Sequence, residues 1–280
     1  MDLHMVSAPD GARLFCNQDV SAFSPEPDRS PWFGSIQVMD PTVFLHLPHP
    51  RLRAPRNRSA CLWHLLNLAS RGHRFHTSGV IHDVRKVPGF VDKMHVRYGV
   101  LLSPSGQRKR RASGYPTARL VVYRDWDGGW CWWLLFAGPE ARVRALTNAH
   151  REAVQDAERT DGRLRFRDEY MLRPRQRPRE QGGGRAWTWF MTRKVQQAVE
   201  RELVALAAGH GQRRERTDDL LAAVRRLRQR PMFGGVRNQA SHALLRASRV
   251  WHKTHGTDVP LPREVYEPLA WFNGRIRIFD

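Results

Sequence analysis

Histidine and arginine are the side chains of this sequence best suited to chemistry. His46/His49, His73/His76 and His252/His255 each form a His-x-x-His pair. Zinc asks for four ligands, or three and a water, and no cysteine or clustered carboxylate completes any of these pairs. No metal and no cofactor is therefore expected. Acid–base work on RNA suits the residue types better. A histidine near neutrality takes the 2′-hydroxyl proton or protonates the leaving 5′-oxygen, while an arginine stabilises the phosphorane. His46, His73 and Arg237 are the candidates for those roles. Walker loops, GxGxxG and GxSxG are absent, and Asp125 and Asp127 read as turn residues rather than a two-metal pair.

Cations are placed as if for phosphates. In RPRQRPREQGGGRAWTWF (173–190), Arg173, Arg175, Arg177 and Arg179 alternate with Pro and Gln ahead of three glycines. The prolines keep the segment extended and oppose its pairing as a central strand. Gln176 stands where an AT-hook has glycine, and its side chain would clash in a narrow minor groove. Trp187 and Trp189 share one strand face and are either core or a stacking platform for bases. The whole reads as a cationic arm hinged to an aromatic segment.

A helix from about Val236 to His255 carries Val236, Ala240, Ala243, Leu244, Ala247, Val250 and Trp251 on one face. His242, Arg246, Arg249 and Lys253 fall opposite, with no acid among them. Ahead of it, PMFGGVRNQ could hold a phosphate with Arg237 and the backbone amides of the helix start, or be an ordinary turn. In RLRFRDEYML, Arg163, Arg165 and Arg167 are expected in a row about 7 Å apart on a strand. Lys93 and Arg97 fall outward on an alternating segment, KMHVRYGVLL (93–102). Arg108, Lys109, Arg110 and Arg111 form a basic loop. Arg193, Lys194 and Arg225 complete the set of expected RNA contacts.

The balance of 47 Lys and Arg against 27 Asp and Glu leaves a net charge of +20 in 280 residues. Most arginines must lack an acidic neighbour within the chain, so an anionic partner is expected, nucleic acid first. Hydrophobic residues make up 41%, enough for a real core and too many for a disordered polycation. No run of about 18 apolar residues occurs, so no membrane is expected as partner, and the N-terminus does not read as a signal peptide. Cys16, Cys61 and Cys131 stand far apart, which fits a reducing cytoplasm.

The elements that must position these groups read as α+β with antiparallel sheets. Residues 1–34 form a loop or short-strand region. An α+β core spans 35–172, a basic arm and helical block 173–256, and a strand at 257–280 (RIRIF) returns to the core. Within the core, strands are expected at 34–47, 80–87, 93–102, 118–124, 130–136 and 163–172. A helix capped by Ser59 spans 59–72, and another runs from Pro139 to about Arg159. Asp127-Gly128-Gly129 marks a hairpin turn. After the arm come helices from Thr192 to Gly209, from a Thr217 cap to Pro231, and the basic helix. Two ferredoxin-like halves are the architecture this pattern suggests.

Antiparallel α+β halves, the FGGVRNQ loop, the basic helical block and the Arg-rich single chain resemble the RAMP-type CRISPR repeat-RNA endonucleases. The basic processing nucleases of plasmid-borne type IV systems are the nearest in kind. That resemblance implies metal-independent cleavage of precursor CRISPR RNA, with the product kept in a ribonucleoprotein complex with other subunits. PMFGGVRNQASHALLRASRVWHKTHG and TARLVVY are also similar to proteins of plasmids and integrative elements, which implies a DNA-binding role in replication or transfer. The expected function is thus an RNA-binding endoribonuclease acting on a structured repeat RNA. A non-enzymatic DNA-binding protein and a structural ribonucleoprotein subunit are the alternatives.

Overall fold

The computed structural model describes residues 52, 54–55, 57–125, 127–176, 183–209, 213–257 and 259. His46, His49, Arg177, Arg179, the strand expected at 34–47 and the RIRIF strand lie outside them. The division expected at 172/173 falls inside a strand, as described below.

Helix α1 (Arg58–Ser70) is capped two residues earlier than its sequence suggests, by Asn57 rather than Ser59, with Asn57 accepting from the Ala60 amide at 2.9 Å. Strand β1 is Phe75–Ile81, not 80–87. A short 3-10 turn at Val84–Lys86 then leads into helix α2 (Val87–Tyr98), where a strand was expected. Alternation at 94, 96 and 98 misleads. Val87, Val91, Met94 and Tyr98 recur at helical spacing and are buried, while Val96 is 86% exposed. Pro88 in the first turn and Gly99 at φ 69° after the last residue are start and stop signals for a helix. The basic loop is likewise a helix, α3 (Pro104–Ala112). The Ser103 hydroxyl caps it by accepting from the Gly106 amide, and Pro104 opens it.

Strands β2 (Thr117–Arg124) and β3 (Trp130–Ala137) form the expected hairpin, with Gly128 at φ 82° in the turn. Helix α4 (Glu140–Asn148) follows and stops well before Arg159. A two-residue strand, β4 (Gln155–Asp156), completes a four-stranded antiparallel sheet ordered β2-β3-β1-β4. Helices therefore join β1 to β2 and β3 to β4, in a β-α-β-β-α-β order. A second sheet contains β5 (Arg165–Phe166), β6 (Tyr170–Gln176) and β7 (Arg185–Met191) in consecutive order, so it does not repeat the first. The fold is α+β with two antiparallel sheets, as expected.

Pro174 lies within β6 and pairs with Trp187. This is tolerated because β5 reaches only as far as Met171 in the ladder. Leu172 donates its amide to Leu164 at 2.8 Å, on the side away from β7. Pro174 has the same parity, so its missing N–H falls on the side β5 no longer covers.

Helices α5 (Arg193–Ala208), α6 (Arg213–Arg228) and α7 (Gly234–His255) follow. Thr217 sits inside α6 instead of capping it. Two apolar cores result, one on each face of the first sheet. One contains α2 with Leu120, Val122, Leu134 and Phe136. The other joins α1, Val121 and Trp133 to the second sheet and to α5, α6 and α7. Trp189 is fully buried there and donates its indole N–H to the Leu62 carbonyl at 2.8 Å. Gln239 ties α7 to the end of β7 through both backbone groups of Met191. A Cβ on Gly235 would lie 2.3 Å from the Trp189 carbonyl, so only glycine lets the start of α7 approach β7 this closely.

Candidate nucleic-acid interface

The second sheet, α1 and the start of α7 enclose a cleft of about 760 Å³. Its apolar walls are Trp63 and Leu66 of α1, Trp187 of β7, and Phe233, the residue before α7. The rings of Trp63 and Phe233 lie 6.2 Å apart and 18° from parallel. Its cations are Arg175, Arg185 and Arg237. The antiparallel register sets Arg175 opposite Ala186 and Gln176 opposite Arg185, so both arginines stand at one end of the β6–β7 ladder, on opposite faces of the sheet. With its amide oxygen turned to Arg175, Asn238 accepts from both terminal guanidinium nitrogens at 2.8 Å and donates to the Gly234 carbonyl at 3.1 Å. Thr188 accepts from the Gly235 amide at 3.1 Å and anchors the helix start to the strand. Among the described residues the lining holds no carboxylate and no histidine.

A neighbouring cavity of about 530 Å³ is lined by Arg58, Arg226 and Arg230. Arg58 pairs with Glu169 at 2.9 Å and Arg226 with Glu202 at 2.6 Å.

The expected site residues separate into groups. Arg237 and Arg175 meet in the cleft. Arg173 does not, since its guanidinium lies over the Phe190 ring at 3.7 Å. The row of Arg163, Arg165 and Arg167 is broken by a turn. Arg167 adopts φ 49° and pairs with Asp125 and Asp127, so it is an internal clamp. Arg163 is half-buried and only Arg165 is exposed. Lys93 and Arg97 stand on α2, and Arg97 pairs with Glu152 at 3.3 Å. On α3, Arg108, Lys109 and Arg111 are exposed, while Arg110 donates to the Pro116 carbonyl at 2.8 Å. Arg193, Lys194 and Arg225 are exposed on α5 and α6. On α7, His242, Arg249 and Lys253 are exposed as expected, but Arg246 reaches Glu200 of α5, so the stripe has an acid neighbour from another helix.

Of the described histidine pairs, His73 and His76 are buried, His255 is half-buried and His252 is exposed. His73 is 5% exposed, and burial, reinforced by Arg119, Arg111 and Arg71, lowers its pKa to about 4. It is outside the cleft lining and buried, which removes it as a base acting on a strand bound there. His76 is buried and donates to the Gly162 carbonyl at 2.9 Å. His255 donates to the Ala207 carbonyl at 3.1 Å, docking the end of α7 on α5. No group of three or more metal-ligating side chains occurs among the described residues. No helix among them is long and apolar enough to cross a membrane.

No family model, curated protein or solved structure matches the chain. The reading of the cleft therefore stands on its residues. Trp63, Arg185, Phe233 and Asn238 are the members that sequence reasoning missed. Arg185, between the glycine triplet and Trp187, and Phe233 and Asn238, within PMFGGVRNQ, had a local signal, and Trp63 had none.

Proposed function

We propose that this chain binds RNA and holds a single-stranded segment in the cleft, as a component of a ribonucleoprotein. One observation carries this reading: three arginines and three large aromatic side chains line one cleft with no carboxylate among its described lining residues. Aromatic rings accept bases by stacking, worth about 1–3 kcal/mol per base, and the guanidinium groups track the phosphates. Bases are open to stacking in single strands, loops and bulges, the elements by which RNA is usually recognised, and are closed off in a duplex. Cleavage, the step implied by the resemblance to repeat-RNA endonucleases, would draw on Arg237, the one candidate catalytic residue among the described residues that line the cleft. Transition-state stabilisation by arginine is the role open to it there.

Binding of the full chain to single-stranded RNA, an RNA hairpin with an unpaired loop, single-stranded DNA and duplex DNA tests the reading. The RNAs with unpaired bases are expected to bind tightest. Preference for duplex DNA would overturn it in favour of a mobile-element role. The same mixtures, incubated with EDTA, report on cleavage: uniform RNA ends support the nuclease, and intact bound RNA leaves a holding subunit.

A further inference from the structure

We propose that Arg119, flanked by Arg71 and Arg111, forms a second phosphate site that takes the RNA backbone beyond the cleft. This rests on the RNA reading above. Strand β2 is an edge of the four-stranded sheet. Ala118, Leu120 and Val122 join the α2 core, while Val121 belongs to the α1 core. By alternation Arg119 is therefore on the α1 side. His64 and Leu68 of α1 and Arg71, the residue that follows it, recur at helical spacing, and Leu68 is buried in the same core as Val121, so that stripe lies on the side of β2 that Arg119 shares. Helix α3 is seated on the start of β2 by Gln107, donating to Ala118 at 3.4 Å, and by Arg110, donating to Pro116. Arg111 follows on the same helix.

Among the described residues no acidic side chain pairs with the cluster. Arg119 is half-buried, and among the described residues no hydrogen bond or ion pair reaches it. Burial and then the charges of Arg111 and Arg71 all disfavour its protonated form. The same three arginines act on His73, which is buried beside them. Three mutually repelling cations gain from an anion. The polyanion is close at hand. Trp63, Leu66 and Ser70 of α1 line the cleft, and Arg71 is the next residue. Trp63 to Ser70 spans about 10 Å of helix axis. One strand stacked in the cleft is thus led along α1 to Arg119, and the exposed cations of α3 extend the track.

The experiment compares RNAs of about four and about sixteen nucleotides, one filling the cleft and one extending beyond it, by fluorescence anisotropy on the full chain. Arg119→Gln is expected to weaken the longer RNA roughly tenfold and to lower its salt dependence by about one phosphate contact, leaving the shorter RNA unchanged. Should Arg119→Gln fail to fold, the double variant of the exposed residues, Arg71→Gln with Arg111→Gln, carries the same expectation. Unchanged binding of the longer RNA, or equal loss for both lengths, overturns the second site. Failure of the cleft reading looks different: the short RNA would not bind the unaltered chain at all. As an independent readout, inorganic phosphate should shift the His73 ring resonances of the unaltered chain and not those of Arg119→Gln. No shift in either contradicts the proposal.

Discussion

Reversing the three cleft charges together, Arg175→Glu, Arg185→Glu and Arg237→Glu, should cost RNA binding at least about 100-fold, or about 3 kcal/mol. The size follows from the chemistry of the contacts. A guanidinium–phosphate hydrogen bond is charge-assisted and contributes about 1.5–3 kcal/mol, and reversal adds repulsion to the loss. The salt dependence should fall as well, by a slope of roughly 2 for three single-strand phosphate contacts. Arg175 and Arg185 are exposed, so the fold should tolerate the change, which a thermal melt checks. The matched control is Arg246→Glu with Arg249→Glu on α7. Those side chains lie outside the cleft lining, and Arg246 is already engaged by Glu200, so a smaller loss is expected. Equal losses from both variants would mean that charge is read over the whole surface and that the cleft has no special part.

Acid should destabilise the chain well before its carboxylates titrate. In the folded chain burial keeps His73 neutral until about pH 4. Unfolded, the same ring protonates near its ordinary value of 6.5. Between these values the unfolded state binds the extra proton. The stabilisation is fully present above about pH 6.5, is lost as pH falls through the window, and is gone below about 4. A displacement of this size corresponds to about 3 kcal/mol. His64, also lowered to about 4 by burial and then by Arg119 and Arg71, acts in the same direction. His76, lowered by burial, does too. Denaturant midpoints between pH 7 and pH 4 measure the loss. His73→Leu should make the profile shallower. An unchanged profile in that variant would mean that the ring is not protonation-sensitive in the fold.

The parts of the fold that depend on neighbouring residues were legible in the sequence. The β2–β3 hairpin follows from two apolar runs around Asp-Gly-Gly, and α7 from one apolar stripe closed by Gly256 at φ 66°. Helix α2 was not, because its outward Val96 completes an alternation that imitates a strand. The cleft was legible only in part. Arg175 and Arg237 could be named, but Trp63 sits on a helix apolar around most of its circumference, where no stripe singles it out. Nor could sequence separate Arg167 from the other arginines. Its fate depends on Asp125 and Asp127, some forty residues earlier and brought alongside only by the packing of the hairpin turn against the second sheet. Charge composition announced an anionic partner. Which cations are left for that partner is decided by ion pairs between elements distant in the chain.

Ultraviolet crosslinking of single-stranded RNA to the unaltered full chain, with the modified peptides mapped by mass spectrometry, is the most direct test of the central claim. Stacked aromatic side chains are the expected acceptors, so adducts should concentrate at Trp63, Trp187 and Phe233. Adducts confined to the exposed face of α7, or scattered over basic peptides with those three residues unmodified, would contradict a base-stacking cleft.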